Sequence, residues 1–150
     1  MDMRAFKNYV LMKNPKIMCF CSQINEEMTE GSIEKMGKNL AKEVRNYIKE
    51  WCYAKDRVSL YLQKLSFIGH SLGGIIIRAA LPYLEDYKEI MHGYLSLGSP
   101  HLGYLVSSHS LVSAGLWVLK NFKNSDCLKQ LAMTDASSLK TSLLYRLSKS

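Results

Sequence analysis

Gly69-His70-Ser71-Leu72-Gly73-Gly74 places a serine between two glycines as Gly-x-Ser-x-Gly. The apolar run Leu65-Ser66-Phe67-Ile68 precedes it, and Ile75-Ile76-Ile77-Arg78-Ala79-Ala80-Leu81 follows it at helical spacing. A strand, a sharp turn at the serine and a helix are the elements needed to project a hydroxyl as a nucleophile. Such a turn presses the residues two before and two after the serine against backbone, which favours residues without a Cβ. Gly69 and Gly73 hold those two places, and a valine at either is expected to disrupt the turn. The helix starting at Leu72 aims its free N–H groups and positive dipole end at the site. The Leu72 N–H is the natural donor to an oxyanion. His70 and Gly74 complete the elbow.

The elements that must position this serine follow from periodicity. Met3, Phe6, Tyr9 and Val10 predict a helix ended by Asn14-Pro15. Three short strands are expected, at Lys16–Cys21, Lys64–Ile68 and Gly93–Leu97. An amphipathic helix runs from about Ser32 to Cys52, and the elbow helix from Leu72 to about Leu84, with Pro82 breaking or kinking it. Strands alternating with helices imply a doubly wound α/β fold with a parallel sheet of about three strands. Ligands in such sheets bind beyond the carboxyl ends of the strands. Ser71 and the loop Gly98–Gly103, with Pro100 and His101, both belong there.

The chain has 150 residues, 47% of them apolar, enough for one domain. No apolar run reaches the length needed to cross a membrane, and the N-terminus shows no signal-peptide pattern. Cys19, Cys21, Cys52 and Cys127 have neither disulfide nor zinc spacing. They read as reduced thiols, with a cytoplasmic location. No metal or organic cofactor is implied. The formal charge is +7. Lys35, Lys38, Lys42, Arg45 and Lys49 fall within one sector roughly 80° wide on a helix. That face is ordinarily a solvated surface; it could also attract an anionic membrane surface. Nucleic acid is not expected, because no binding motif accompanies the charge.

The elbow, together with Tyr94-Leu95-Ser96-Leu97-Gly98-Ser99-Pro100-His101-Leu102-Gly103, resembles the lipase-like serine esterase family of the α/β-hydrolase superfamily. The resemblance runs through Asp2–Val10, Ser125–Ala136 and Leu144–Ser148. It implies that Ser71 is the nucleophile, that the Leu72 N–H is an oxyanion donor, and that His101 shapes a loop at the site without being the base. It also implies that residues 1–150 are the central part of a single hydrolase domain, truncated at both ends relative to the family. The His-Gly oxyanion loop and the triad acid and histidine would then lie outside them. Substitutes within the chain are poor: His70 is badly directed, His92 and His109 read as surface or capping residues, and Asp86, Asp126 and Asp135 come from helical or irregular segments. The apolar stretch His109–Phe122 reads as a buried packing helix or as a lid over the site.

The function implied is hydrolysis of carboxylic esters, lipid-like in kind, through an acyl-enzyme on Ser71. The 150 residues alone are expected to hydrolyse esters poorly or not at all. The alternatives are a catalytically inactive relative that binds lipid or protein, and a trafficking or scaffold module that uses the basic helix face.

Overall fold

A computed structural model describes residues 3–28, 31–52, 62–103 and 125–149. The chain forms α1 (Met3–Lys13), α2 (Ile33–Cys52), β1 (Leu65–His70), α3 (Leu72–Ala80), β2 (Met91–Leu97), α4 (Asp126–Leu131) and α5 (Leu143–Leu147). Short 3₁₀ segments lie at Leu81–Ile90 and Leu139–Thr141. The fold is mixed α/β, and the sheet of the described residues is a parallel pair, β1 beside β2. Parallel strands need a crossover, and here α3 with the 3₁₀ segment supplies it.

Two of the three expected strands form, each somewhat longer than its apolar run suggested. The one expected at Lys16–Cys21 does not appear among the described residues. A strand exists only as part of a ladder, and apolar alternation alone cannot supply the partner. This stretch instead lies along α2, where the Phe20 ring stacks on Tyr47 at 4.4 Å and Tyr47 meets Trp51 at 5.7 Å. Glu43 fastens the following turn: its carboxylate accepts from the Ser22 hydroxyl and from the N–H groups of Gln23 and Ile24 at 3.1 and 3.2 Å. A three-strand, doubly wound arrangement is therefore not what the described residues display.

α3 ends at Ala80, earlier than its apolar pattern suggested. Pro82 sits in the first turn of the 3₁₀ segment, and Leu84 there is non-helical at φ −119°, ψ 22°. Proline lacks an N–H and cannot continue the α-helical ladder.

The core forms where α2 and α3 cross. Ile33, Met36 and Ile75 are fully buried with Cys127, Leu131, Leu143, Leu144 and Leu147 in one cluster. Leu40, Ala41, Val44, Ile48, Ile77, Ala80 and Leu84 form the other, against Leu65 and Phe67 of β1. Each large aliphatic side chain so buried contributes roughly 1.5–3 kcal/mol. The next residues along β1, Ser66 and Ile68, are exposed, so this strand buries one face.

Gly37 sets the spacing of the two helices. A Cβ there would lie 2.7 Å from the Ala79 carbonyl carbon and 2.7 Å from its Cβ. A mid-helix glycine costs about 1 kcal/mol against alanine, and this close approach explains its presence. Gln130, buried on α4, crosses 97 residues of sequence to cap α2. Its Oε1 accepts from the Ile33 N–H at 2.6 Å, and its Nε2 donates to the Ser32 hydroxyl at 3.1 Å.

These contacts predict that Gly37→Ala destabilises by about 1–3 kcal/mol despite alanine's helix propensity. Gln130→Ala should cost about 1–3 kcal/mol by stranding a buried donor. Urea denaturation checks both, and a Gly37→Ala midpoint at or above wild type would contradict the crossing.

Candidate active site

Ser71 sits between β1 and α3 with φ 54° and ψ −124°. A serine in that sparsely populated region carries on the order of 1–3 kcal/mol of strain, held by its surroundings. Two fixtures hold it. The Ser71 N–H donates to the Leu97 carbonyl of the neighbouring strand at 2.9 Å. Gly69 closes against the start of α3, where a Cβ would lie 2.6 Å from the Gly74 Cα and nitrogen. Ser71 caps α3 with no side-chain hydrogen bond, and its Oγ makes none among the described residues. The Leu72 N–H lies in the first turn of α3, where backbone donors lack intrahelical acceptors.

The second close approach is at Gly74, not at Gly73. A Cβ on Gly74 would run into the Ser99 Oγ and come within 2.6 Å of the Ser96 Oγ. Apart from its chain neighbours and the backbone of its own helix, nothing among the described residues lies within 4 Å of a Cβ on Gly73. The expectation that Gly73 is sterically required is therefore corrected. α3 turns away beyond Ser71, so its glycine one position later meets the β2 end. Spacing in a motif specifies a turn but not which face of the helix touches the sheet.

β2 and its following loop make the other wall. Gly69 is opposite Ser96, and His70 opposite Leu97. The Tyr94 hydroxyl donates to the Gly74 carbonyl at 2.7 Å. Gly98 (φ 60°) and Gly103 (φ 71°) adopt conformations that side chains disfavour. A Cβ on Gly103 would also meet the Leu131 carbonyl and Leu144. Between these glycines His101 is fully engaged. Its Nδ1 is 3.2 Å from Arg78 Nη1, its Nε2 is 2.7 Å from Ser96 Oγ, and its ring meets Tyr94 edge-on at 6.3 Å. Burial first, and then the Arg78 charge, push the His101 pKa below its usual 6.5. With both nitrogens committed, the imidazole has no free lone pair for Ser71.

The remaining titratable candidates go elsewhere. His70 and His92 are exposed. Asp86 pairs with Arg45 at 2.6 Å, and Asp126 with Lys129 at 3.4 Å. Asp135 Oδ2 accepts from the Leu143 N–H at 2.9 Å and so caps α5, leaving Oδ1 buried without a partner among the described residues. His109 and the stretch to Phe122, read as a packing helix or lid, lie outside the described residues. Cys19, Cys21 and Cys127 carry free thiols, and burial pushes that of Cys127 up to about 11; the Cys52 side chain lies outside the described ones. Among the described residues no cluster of His, Cys, Asp or Glu could hold a metal ion, and no helix is long and apolar enough to cross a membrane.

The family model described as Putative serine esterase (DUF676) matches residues 1–150. The chain belongs to this family. No solved structure matched it. Membership in a serine esterase family, of α/β-hydrolase type, agrees with the mixed α/β architecture and its parallel strand pair. In this esterase-family chain, sequence reasoning missed Arg78 and Ser96 as the partners of His101. Arg78 lies four residues after Gly74, and so on the face of α3 that meets β2; the spacing became a signal only once the structure showed that Gly74 meets β2.

The geometry orders four substitutions. Gly69→Ala and Gly74→Ala should each destabilise by several kcal/mol, through backbone overpacking of about 1–3 kcal/mol with strain of similar size. Gly73→Ala, at an ordinary helical position, should be neutral or stabilise by about 0.4–1 kcal/mol. Ser71→Gly should melt no lower than wild type. Thermal melts that place Gly73→Ala with Gly69→Ala would contradict the packing described.

Proposed function

We propose that the protein is a serine hydrolase of carboxylic esters, with a lipid-like acyl substrate, acting through an acyl-enzyme on Ser71. The observation that carries this is the Ser71 backbone, strained at φ 54° and ψ −124° at the end of a parallel strand and the start of a helix. In this reading the Ser71 Oγ attacks the acyl carbonyl and the alcohol leaves, taking a proton. Water then cleaves the acyl-serine ester. The Leu72 N–H donates to the oxyanion. His101 is assigned to ordering the loop, because Arg78 and Ser96 occupy its ring nitrogens. The general base, its acid and the second oxyanion donor are assigned to segments outside the described residues, and the complete domain to a doubly wound sheet with further strands.

The inactive-relative reading has no observation of its own in favour. An anionic membrane surface as a partner finds support in three of the five cations of α2. Lys35, Lys42 and Lys49 are exposed. Arg45 is bound to Asp86 and to the Tyr83 carbonyl, and Lys38 pairs with Glu34 at 3.7 Å and lies over the Tyr83 ring. Reversal of Lys35, Lys42 and Lys49 is thus the informative set for vesicle binding, since Lys38 and Arg45 also hold the fold.

Hydrolysis of p-nitrophenyl acetate and butyrate tests the esterase reading. The 150 residues alone should turn over well below about 1 s⁻¹, the low end for enzymes. Extension with the flanking coding sequence should raise turnover by at least about 10²-fold, the order of one oxyanion donor, and Ser71→Ala should abolish the gain. Turnover in the extended protein that survives Ser71→Ala would overturn the assignment.

A further inference from the structure

The seam between α3 and the segment 94–103 contains a cation with an unusual set of partners. Arg78 is half-buried. Its Nη1 meets His101 Nδ1 at 3.2 Å, and its Nη2 donates to the Leu147 carbonyl of α5 at 2.6 Å. Among the described residues no carboxylate pairs with it. A guanidinium has only donors, so His101 Nδ1 must be the acceptor. A neutral ring then carries its proton on Nε2, which donates to Ser96 Oγ at 2.7 Å. Ser96 in turn lies opposite Gly69 and beside Gly74, the two glycines that pack the elbow.

We infer that Arg78 is a positioning residue: by donating to Nδ1 it fixes His101 as the neutral Nε2–H tautomer, and through that ring it locks the loop Gly98–Gly103 and Ser96 against the Ser71 elbow. The link to catalysis rests on the esterase reading; the lock itself does not. Protonation of His101 would set two cations 3.2 Å apart and remove the acceptor, so the lock is made only by the neutral ring. The groups facing His101 are Arg78 from α3, Ser96 and Tyr94 from β2, and, through Arg78, the α5 carbonyl of Leu147. None of them is an anion that would favour the imidazolium.

The pH dependence has a definite sign. The folded pKa of His101 lies below 6.5, so the unfolded chain binds the proton more readily. The stabilisation from this group is complete above about pH 6.5. It is lost as pH falls from there through the folded value. Burial is the larger cause and Arg78 the second, so loss of Arg78 should raise the folded value part of the way towards 6.5.

Long-range proton–nitrogen correlation NMR of the ¹⁵N-histidine-labelled chain tests this. The expected spectrum shows His101 as the Nε2–H tautomer at pH 7.5, with a titration midpoint below 6.5. In Arg78→Met the midpoint should rise and the tautomer preference should weaken, while Arg78→Lys should keep the midpoint low and lose the tautomer preference. An Nδ1–H tautomer in the wild-type chain overturns the proposal, whether or not the variants fold. A folded Arg78→Met with an unchanged midpoint and tautomer also overturns it. Neither readout depends on ester turnover, so the expected spectrum together with turnover in the extended protein that survives Ser71→Ala would count against the esterase reading alone.

Discussion

The reversal of the chain at Ser71 is the constraint on which the rest depends. A residue with a side chain is held at φ 54°, and the cost of roughly 1–3 kcal/mol must be met by contacts around it. Those contacts exist because Gly69 and Gly74 have no Cβ. The strand end can touch the helix start, and the helix start can touch the side chains of Ser96 and Ser99. The Ser71 N–H reaches the Leu97 carbonyl only because β2 lies parallel to β1 in this register. The elbow and the strand pair therefore support each other.

The helices extend that support. α3 is pinned along one side by α2, at the glycine–alanine approach of Gly37 and Ala79. On the other side Tyr94 bonds the Gly74 carbonyl, and Arg78 bridges to His101 and Leu147. The start of α2 is held by Gln130 and, at its first turn, by Glu34 pairing with Arg146 at 3.2 Å. The Arg146 hydrogen bond holds the Glu34 carboxyl below its ordinary range, against a smaller opposing effect of burial. Its contribution is therefore present at neutral pH and lost as pH falls through the folded value. The pair is exposed to solvent, so its weight is small beside the buried cap of Gln130.

Local features were legible in the sequence, and long-range ones were not. The strand, turn and helix around Ser71 are encoded within about fifteen contiguous residues, as is the stop that Asn14-Pro15 imposes on α1. The break at Pro82 follows from one missing N–H. By contrast, Lys16–Cys21 has the composition of a strand, yet pairing depends on a partner that no local pattern names. The role of Gly37 depends on Ala79, and that of Gln130 on Ile33, each far away in sequence. The basic stripe of α2 was legible as a stripe. That Arg45 and Lys38 spend their charge inside the molecule was not, because Asp86 and Tyr83 lie on another element. At the candidate site, Gly-x-Ser-x-Gly identified the turn. Which glycine touches the neighbouring strand depended on the direction of α3, which the motif does not carry.

In the proposed esterase, this fold presents one serine, Ser71, as a nucleophile beside the backbone donors at the start of α3. That presentation is tested most directly by reacting the protein, extended with its flanking coding sequence, with a fluorophosphonate ester and locating the adduct by tandem mass spectrometry. Ser66, Ser96 and Ser99, on the neighbouring strands and loop, serve as internal controls. A single adduct on Ser71 is expected, with those three serines unmodified and no adduct in Ser71→Ala. An adduct spread over the control serines, or a reacted protein in which Ser71 is unmodified, would contradict it.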